Sequence, residues 1–159
     1  MLELTQTALV KAAAFCAIGF AAMGSAYGCG VAAASAIGEW KKCYLQNRPA
    51  PFQLAILTGV PMSQTIYGFI LMLQLLNVEA PHWPTCLAIG IVGGIAIAMS
   101  AAFQGRAAAG ACDAYAESGK GFAYYLIALG VVETIAIFAM VFAMIIIGGL
   151  SQGAAPSVN

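Results

Sequence analysis

The sequence predicts an all-α membrane protein whose four transmembrane helices form a duplicated helical hairpin. Three observations support this fold class. The chain has 159 residues, of which 62% are hydrophobic and only 8% charged, whereas soluble domains carry about a quarter charged residues. Four apolar runs are each long enough to cross a bilayer. Two short motifs also recur at similar offsets. This composition excludes a soluble globule, and a formal net charge of zero leaves no basic excess for binding nucleic acid.

The apolar runs divide the chain into two predicted hairpins. Residues 1–77 form the first hairpin, with spans at about 12–37 and 52–76, and residues 78–159 form the second, with spans at about 85–112 and 122–150. Spans 1 and 3 are rich in Gly and Ala, which allow helix backbones to approach closely. Spans 2 and 4 carry larger Leu, Ile, Met and Phe side chains. The contrast predicts a crowded inner layer of spans 1 and 3 and a lipid-facing outer layer of spans 2 and 4.

An internal repeat relates the two hairpins. The segment QTIYGF, which begins at Gln64, aligns with ETIAIF, which begins at Glu133, at an offset of 69 residues. The Gly-rich spans align Gly28 with Gly105 at an offset of 77 residues, and the longer first polar loop accounts for the difference. Repeats in membrane proteins commonly place a binding site at corresponding depth in the two halves. Here only the second half has an acid.

Basic residues predict the orientation of the chain in the membrane. The polar loops at residues 38–51 and 113–121 contain or adjoin most of them: Lys41, Lys42, Arg48, Arg106 and Lys120. The opposite side has only Lys11. The positive-inside rule therefore places both loops in the cytoplasm and both termini outside, in a multi-pass protein of the cell (plasma) membrane.

One carboxylate, Glu133, lies inside the apolar run of residues 124–150. It is about 12 residues, or about 18 Å of helix, from the loop that ends at Gly121. Because the hydrocarbon core is about 30 Å thick, Glu133 is expected near its middle. A charge at that depth is costly and is rarely kept without a function. Arg106 is expected to reach the cytoplasmic interface and not to be a permanent partner of this acid.

Span 2 carries a polar face at the depth of the acid. Val60, Ser63, Gln64 and Tyr67 follow the i, i+3, i+4, i+7 spacing and so share one side of a helix. Pro61 has no backbone N–H and disturbs the neighbouring turn. Carbonyl oxygens loosened in this way become available as ligands, provided that something inside the protein satisfies them.

These groups, together with Gln104 in span 3, offer oxygen ligands around one negative charge. The set comprises the Glu133 carboxylate, the Gln64 and Gln104 amide oxygens, the Ser63 hydroxyl and a backbone oxygen, with Tyr67 expected to orient the acid by a hydrogen bond. Such a set suits a hard monovalent cation by replacing its hydration shell. A proton carrier needs only the carboxylate, so the extra ligands favour Na⁺. The same side chains could equally hydrogen-bond a protonated acid.

These motifs resemble a known family over essentially the whole chain. PMSQTIYGF in span 2, FQGRAAAGA in span 3 and VVETIAIF in span 4 are similar to the proteolipid, or rotor-ring subunit, of V-type ATPases, and most similar to the bacterial Na⁺-translocating subunit K. One departure is Ser63 where Thr is familiar, although the hydroxyl is retained. The resemblance implies Na⁺ ligands on the Val60 carbonyl, Ser63, Gln64, Gln104 and Glu133, with Tyr67 bonding the carboxylate and Pro61 supporting the turn.

The resemblance also implies a mechanism and partners. Identical copies would close into a homo-oligomeric ring in the lipid, and each Glu133 would exchange its ion near an arginine of a membrane stator subunit. The cytoplasmic loops would contact a central-stalk subunit, and ATP hydrolysis or synthesis would occur in a separate head, so the chain is not an enzyme on its own. The alternatives are the same ring carrying H⁺ and, more distantly, a small four-helix proton-coupled antiporter.

Overall fold

The structure, a computed structural model, describes residues 1–152, with side chains up to residue 150, and every regular element in that range is helical. Six α-helices are formed: α1 (Leu2–Leu45), α2 (Gln53–Gly59), α3 (Ser63–Leu76), α4 (Trp83–Ala88), α5 (Gly94–Ser118) and α6 (Phe122–Gln152). Short 3₁₀ turns at Val60–Met62 and Ala80–His82 precede α3 and α4, and a π-helical turn at Ile89–Gly93 joins α4 to α5.

These elements make four stretches that are long and apolar enough to cross a membrane: Leu2–Leu45, Gln53–Leu76, Ala80–Ser118 and Phe122–Leu150. The predicted all-α fold with four long apolar helices is confirmed. The division into hairpins at residues 77 and 78 stays a prediction. So does the side of the membrane on which the loops and termini lie, and the C-terminus falls outside the described residues.

Two predicted polar loops are shorter than the sequence indicated. Helix α1 continues to Leu45 and α5 to Ser118. The two loops that follow these helices therefore comprise residues 46–52 and 119–121 instead of 38–51 and 113–121. Hydropathy locates the apolar part of a helix, whereas a helix can continue beyond the bilayer while its residues remain good helix formers. Helix α5 ends where Gly119 adopts a left-handed conformation with φ 64°, a common helix stop.

Among the described residues, very close packing joins α1 to α5 and to the π-helical turn before α5 through small residues. A Cβ added at Gly105 would overlap the backbone of Gly28, and one added at Gly90 would overlap the backbone of Ala13. Both contacts join residues 77 positions apart, which is the offset of the repeat in the sequence. Helices that approach this closely can only do so through Gly and Ala, because any larger side chain would separate the backbones.

Helix α6 packs against α5 and α3, and its other face is exposed. The exposed side chains of this face are large and apolar: Tyr124, Ile127, Val131, Ile135, Phe138, Phe142 and Ile145. A surface of this composition is unfavourable in water and compatible with lipid. The observed layering therefore agrees with small-residue spans on one side and bulky spans on the other.

Ionic contacts tie the polar ends of α1 and α5 together. Lys42 Nζ lies 2.6 Å from Glu39 Oε1 and 3.6 Å from Asp113 Oδ1, and Glu39 is buried. In the loop that follows α1, Arg48 Nη1 donates a hydrogen bond of 3.3 Å to the Ala116 carbonyl. These contacts bring the two polar loops to the same end of the molecule, as the repeat requires.

Candidate ion-binding site

The site begins at the break between α2 and α3. Pro61 cannot donate a backbone hydrogen bond, and the chain takes a 3₁₀ turn over Val60–Met62 before α3 continues. The Val60 carbonyl oxygen at this turn accepts the Ser63 backbone N–H. Ser63 Oγ lies 3.1 Å from the same oxygen and 3.2 Å from Gln64 Oε1. The break therefore brings a carbonyl, a hydroxyl and an amide oxygen into contact.

Helix α1 leaves room for this break because it has a glycine beside it. Pro61 is buried, and its Cβ lies only 3.0 Å from the position that a Cβ on Gly28 would occupy. A larger residue at position 28 would therefore press on the proline ring as well as on the backbone of α5. The small-residue packing of α1 and α5 thus also positions the start of α3.

Two fully buried amides connect span 2 to the acid. Gln64 and Gln104 each have 0% exposure. Gln64 Nε2 donates a hydrogen bond of 2.7 Å to Gln104 Oε1. Gln104 Nε2 donates to the Leu129 carbonyl at 3.0 Å and to Glu133 Oε2 at 3.4 Å. Gln104 therefore contacts both Gln64 and Glu133 and lies between them.

Glu133 is a partly buried carboxylate held by donors on both oxygens. The Tyr67 hydroxyl donates a hydrogen bond of 2.6 Å to Oε1, and Gln104 Nε2 lies near Oε2. Among the described residues no cation forms an ion pair with it. The guanidinium of Arg106 instead donates to the Tyr27 hydroxyl at 3.1 Å and lies over the Tyr27 ring. Within the described part of the chain, no fixed positive charge therefore neutralises the acid.

The structure thus brings all the residues singled out in the sequence into one connected set. Hydrogen-bonding contacts run without interruption from span 2 through span 3 to span 4, linking Val60, Ser63, Gln64, Gln104, Glu133 and Tyr67. Pro61 supports the turn at its start. The helices α3, α5 and α6 all contribute, so the site exists only when these helices pack together.

Two contacts of the site were not predicted from the sequence. Ser100, which is 5% exposed, donates a hydrogen bond of 2.9 Å to the Val132 carbonyl, and Gln104 uses the Leu129 carbonyl. The available signal was the spacing, because Ser100 precedes Gln104 by four residues and must share its helix face. Backbone acceptors on a neighbouring helix carry no residue signature, so Leu129 and Val132 could not be identified without the fold.

The chemistry of the set is one negative charge among neutral oxygen atoms. No three His, Cys, Asp or Glu side chains lie close enough to hold a metal ion anywhere in residues 1–152. Sites built from thiolate or imidazole ligands suit transition metals, whereas carbonyl, hydroxyl and carboxylate oxygens suit hard cations. A single carboxylate balances a single positive charge, so the arrangement fits a monovalent cation or a proton.

Comparisons with known proteins found similarity to ATP synthase subunits. The family of ATP synthase C subunits matches residues 87–146, the part of the chain that contains Gln104 and Glu133. The A-type ATP synthase subunit K of Methanocaldococcus jannaschii is 31% identical over 139 residues, which are 86% of this chain and 60% of the relative. The chain therefore spans less than two thirds of the length of the curated relative that it matches.

Proposed function

This chain belongs to the family of ATP synthase C subunits, as a proteolipid of the V/A type, and from that premise we propose that it is a membrane rotor-ring subunit that carries Na⁺ at Glu133. Identical copies form a ring in the membrane, and rotation of the ring couples ion transfer to ATP hydrolysis or synthesis in a separate soluble head. The protein itself carries the ion and does not act on ATP. The observation that carries the proposal is the unbroken series of polar contacts between the Val60 carbonyl and Glu133.

The position of the acid supplies the physical basis for rotation. A bare carboxylate that faces lipid is costly, whereas the same group paired with a bound cation is nearly neutral. An occupied protomer can therefore pass through the hydrocarbon phase and an empty one cannot. An arginine on a membrane stator subunit then provides a temporary partner for the empty carboxylate while the ion leaves and is replaced.

Three neutral oxygens support Na⁺ as the ion. They are the Ser63 hydroxyl oxygen, the Val60 carbonyl oxygen at 3.1 Å from it, and Gln64 Oε1 at 3.2 Å from it. A proton would need none of them, while a dehydrated cation needs several oxygens to replace its water. Gln104 joins this group to the carboxylate, so charge compensation and neutral ligation meet in one site.

A proton is the second candidate ion, and one observation favours it. Every polar side chain of the site already has a hydrogen-bond partner within the described residues. A protonated Glu133 could join this network without any cation, because a carboxylic acid both donates and accepts. Membership of the family argues against the four-helix antiporter that the sequence also allowed.

The ends of the molecule suggest how the remaining partners bind. The polar ends of the helices and the adjoining loop carry Lys41, Lys42 and Arg48, and we place them in the cytoplasm by the positive-inside rule. There they would contact the central-stalk subunit. The bulky exposed face of α6 would contact lipid and, at one position around the ring, the stator subunit.

Carbodiimide labelling tests the ion directly, because this reagent modifies a protonated carboxyl group in an apolar setting. We expect labelling of Glu133 in the purified ring and protection by Na⁺ at fixed pH, with no protection by an equal concentration of choline. Labelling that is indifferent to Na⁺ but depends on pH would replace Na⁺ by H⁺. A protein that remains monomeric in mild detergent and is inert to the reagent would contradict the ring itself.

Replacing Tyr67 by Phe is expected to weaken ion binding about tenfold. The substitution removes the hydroxyl that donates a hydrogen bond of 2.6 Å to Glu133 Oε1 and leaves the aromatic ring in place. A hydrogen bond to a charged group contributes about 1.5–3 kcal/mol, and about 1.4 kcal/mol corresponds to a factor of ten. The measurement is the Na⁺ concentration that gives half-maximal protection from the carbodiimide. Tyr124→Phe, at an exposed position on α6, is the matched control and should behave as wild type.

A further inference from the structure

We infer that Ser100 is a positioning residue for Glu133, because its hydroxyl fixes the backbone of α6 beside the carboxylate. When the ion leaves, the Glu133 side chain therefore moves while the backbone of α6 stays in place. The inference rests on the proposed ion-carrying function of Glu133. It concerns which part of the molecule moves when the ion leaves, and it assigns a role to a side chain outside the ligand set.

The geometry consists of two anchors from one face of α5 to the backbone of α6. Ser100 donates to the Val132 carbonyl at 2.9 Å, and Gln104 donates to the Leu129 carbonyl at 3.0 Å. The two donors are four residues apart and the two acceptors three residues apart, so each pair is one helical turn apart. Two attachments one turn apart define both the height and the rotation of a helix. Val132 is the residue immediately before Glu133.

Apolar packing defines the rotation of α6 less sharply than two hydrogen bonds do. The remaining contacts of α6 are largely apolar, and apolar contacts have little directional preference. Hydrogen bonds weaken steeply when their geometry is lost. Side-chain atoms lie about 5–6 Å from a helix axis. A rotation of about 20° therefore moves the carboxylate about 2 Å, which would break its contact with Tyr67.

Ser100 and Gln104 are not equivalent anchors. The Gln104 amide nitrogen is shared between the Leu129 carbonyl and Glu133 Oε2, so its contacts must rearrange whenever the carboxylate moves. The Ser100 hydroxyl bonds to the backbone of α6 and is independent of the state of the acid. It therefore holds the helix in place in both the occupied and the empty site.

The test compares two serines that make the same kind of bond. Ser35 Oγ donates to the Ala109 carbonyl at 2.9 Å and so links α1 to α5 away from the acid. In the intact ring, Ser100→Ala should raise the Na⁺ concentration for half-maximal protection from carbodiimide by about three- to tenfold. Ser100→Thr, which keeps a hydroxyl, should stay within about twofold of wild type. Ser35→Ala should leave protection unchanged, although it loses a bond of equal length.

Each outcome decides the inference. Equal Na⁺ protection in Ser100→Ala and Ser35→Ala would overturn it, as would a Ser100→Thr ring that binds as weakly as Ser100→Ala. If Ser100→Ala does not assemble, Ser100→Cys, which preserves the volume but donates weakly, takes its place. If Na⁺ does not protect the wild-type ring from labelling, Na⁺ is refuted as the ion, whatever the role of Ser100. The same variants are then compared by the pH midpoint of labelling, which must differ between Ser100→Ala and Ser35→Ala by about half to one pH unit.

Discussion

Glu133→Gln is expected to abolish ion transport and carbodiimide labelling while the ring still assembles. Gln has nearly the same shape as Glu but carries no charge, so a cation that enters the site loses its negative partner. Leaving one partner of a buried ion pair without its opposite charge costs about 3–5 kcal/mol, which corresponds to a loss of affinity of at least about 100-fold. Assembly should persist because a neutral amide is less costly than a carboxylate inside the hydrocarbon core.

Two measurements check this result. Na⁺ uptake by vesicles that contain the reconstituted complex reports transport, and electrophoresis in mild detergent reports the ring. The matched control is Glu79→Gln, which removes an exposed carboxylate in the short connection between α3 and α4. This change should leave both measurements unchanged. Transport that survives in Glu133→Gln at more than a few per cent of the wild-type rate would remove Glu133 from the mechanism.

Gly105→Ala should destabilise the protein even though alanine is the better helix former. The change should gain up to about 1 kcal/mol of intrinsic helix propensity. The new methyl group, however, would overlap the backbone of Gly28, and a backbone cannot rotate away as a side chain can. Overpacking of this kind costs about 1–3 kcal/mol. Because the two contacting helices also position Pro61 and Gln104, we expect weaker ion binding as well.

Gly110→Ala is the control within the same helix. A Cβ at Gly110 meets nothing within 4 Å, so only the gain in helix propensity remains and the stability should be unchanged or slightly raised. The melting temperature of the detergent-solubilised ring measures the difference. For a chain of this size, about 1 kcal/mol shifts it by about 2–4 °C. An equal fall in Gly105→Ala and Gly110→Ala would show that the close contact with Gly28 is not the cause.

Much of the membrane architecture was predictable from local sequence. The four apolar runs are long enough to cross a bilayer, and hydropathy depends only on composition along the chain. The expected depth of Glu133 follows from counting residues along a helix of known rise. The spacing of Ser63, Gln64 and Tyr67 likewise fixes a shared face, because helical geometry is a property of neighbouring residues.

The ends of the helices were less well predicted. Charged residues after position 37 and after Cys112 indicated loops, yet α1 and α5 continue for about two turns beyond these points. Their ends are held by contacts between distant parts of the chain, such as Lys42 with Asp113. The pattern of a single sequence shows where polar residues lie, but it does not show which distant residues they contact.

The sequence by itself determined that an acid lies inside a long apolar run, and that a hydroxyl, two amides and a phenol lie in the other apolar runs, because these facts follow from composition and helical spacing. Only the tertiary structure decided which atoms meet: that Gln104 joins Gln64 to Glu133, that Ser100 holds the Val132 carbonyl, and that Arg106 contacts Tyr27 instead of the acid. The physical reason is that helix spacing fixes only the height and direction of a side chain on its own helix. The rotation of one helix against another depends on packing between residues that are distant in sequence, here Gly28 and Gly105, which are 77 positions apart.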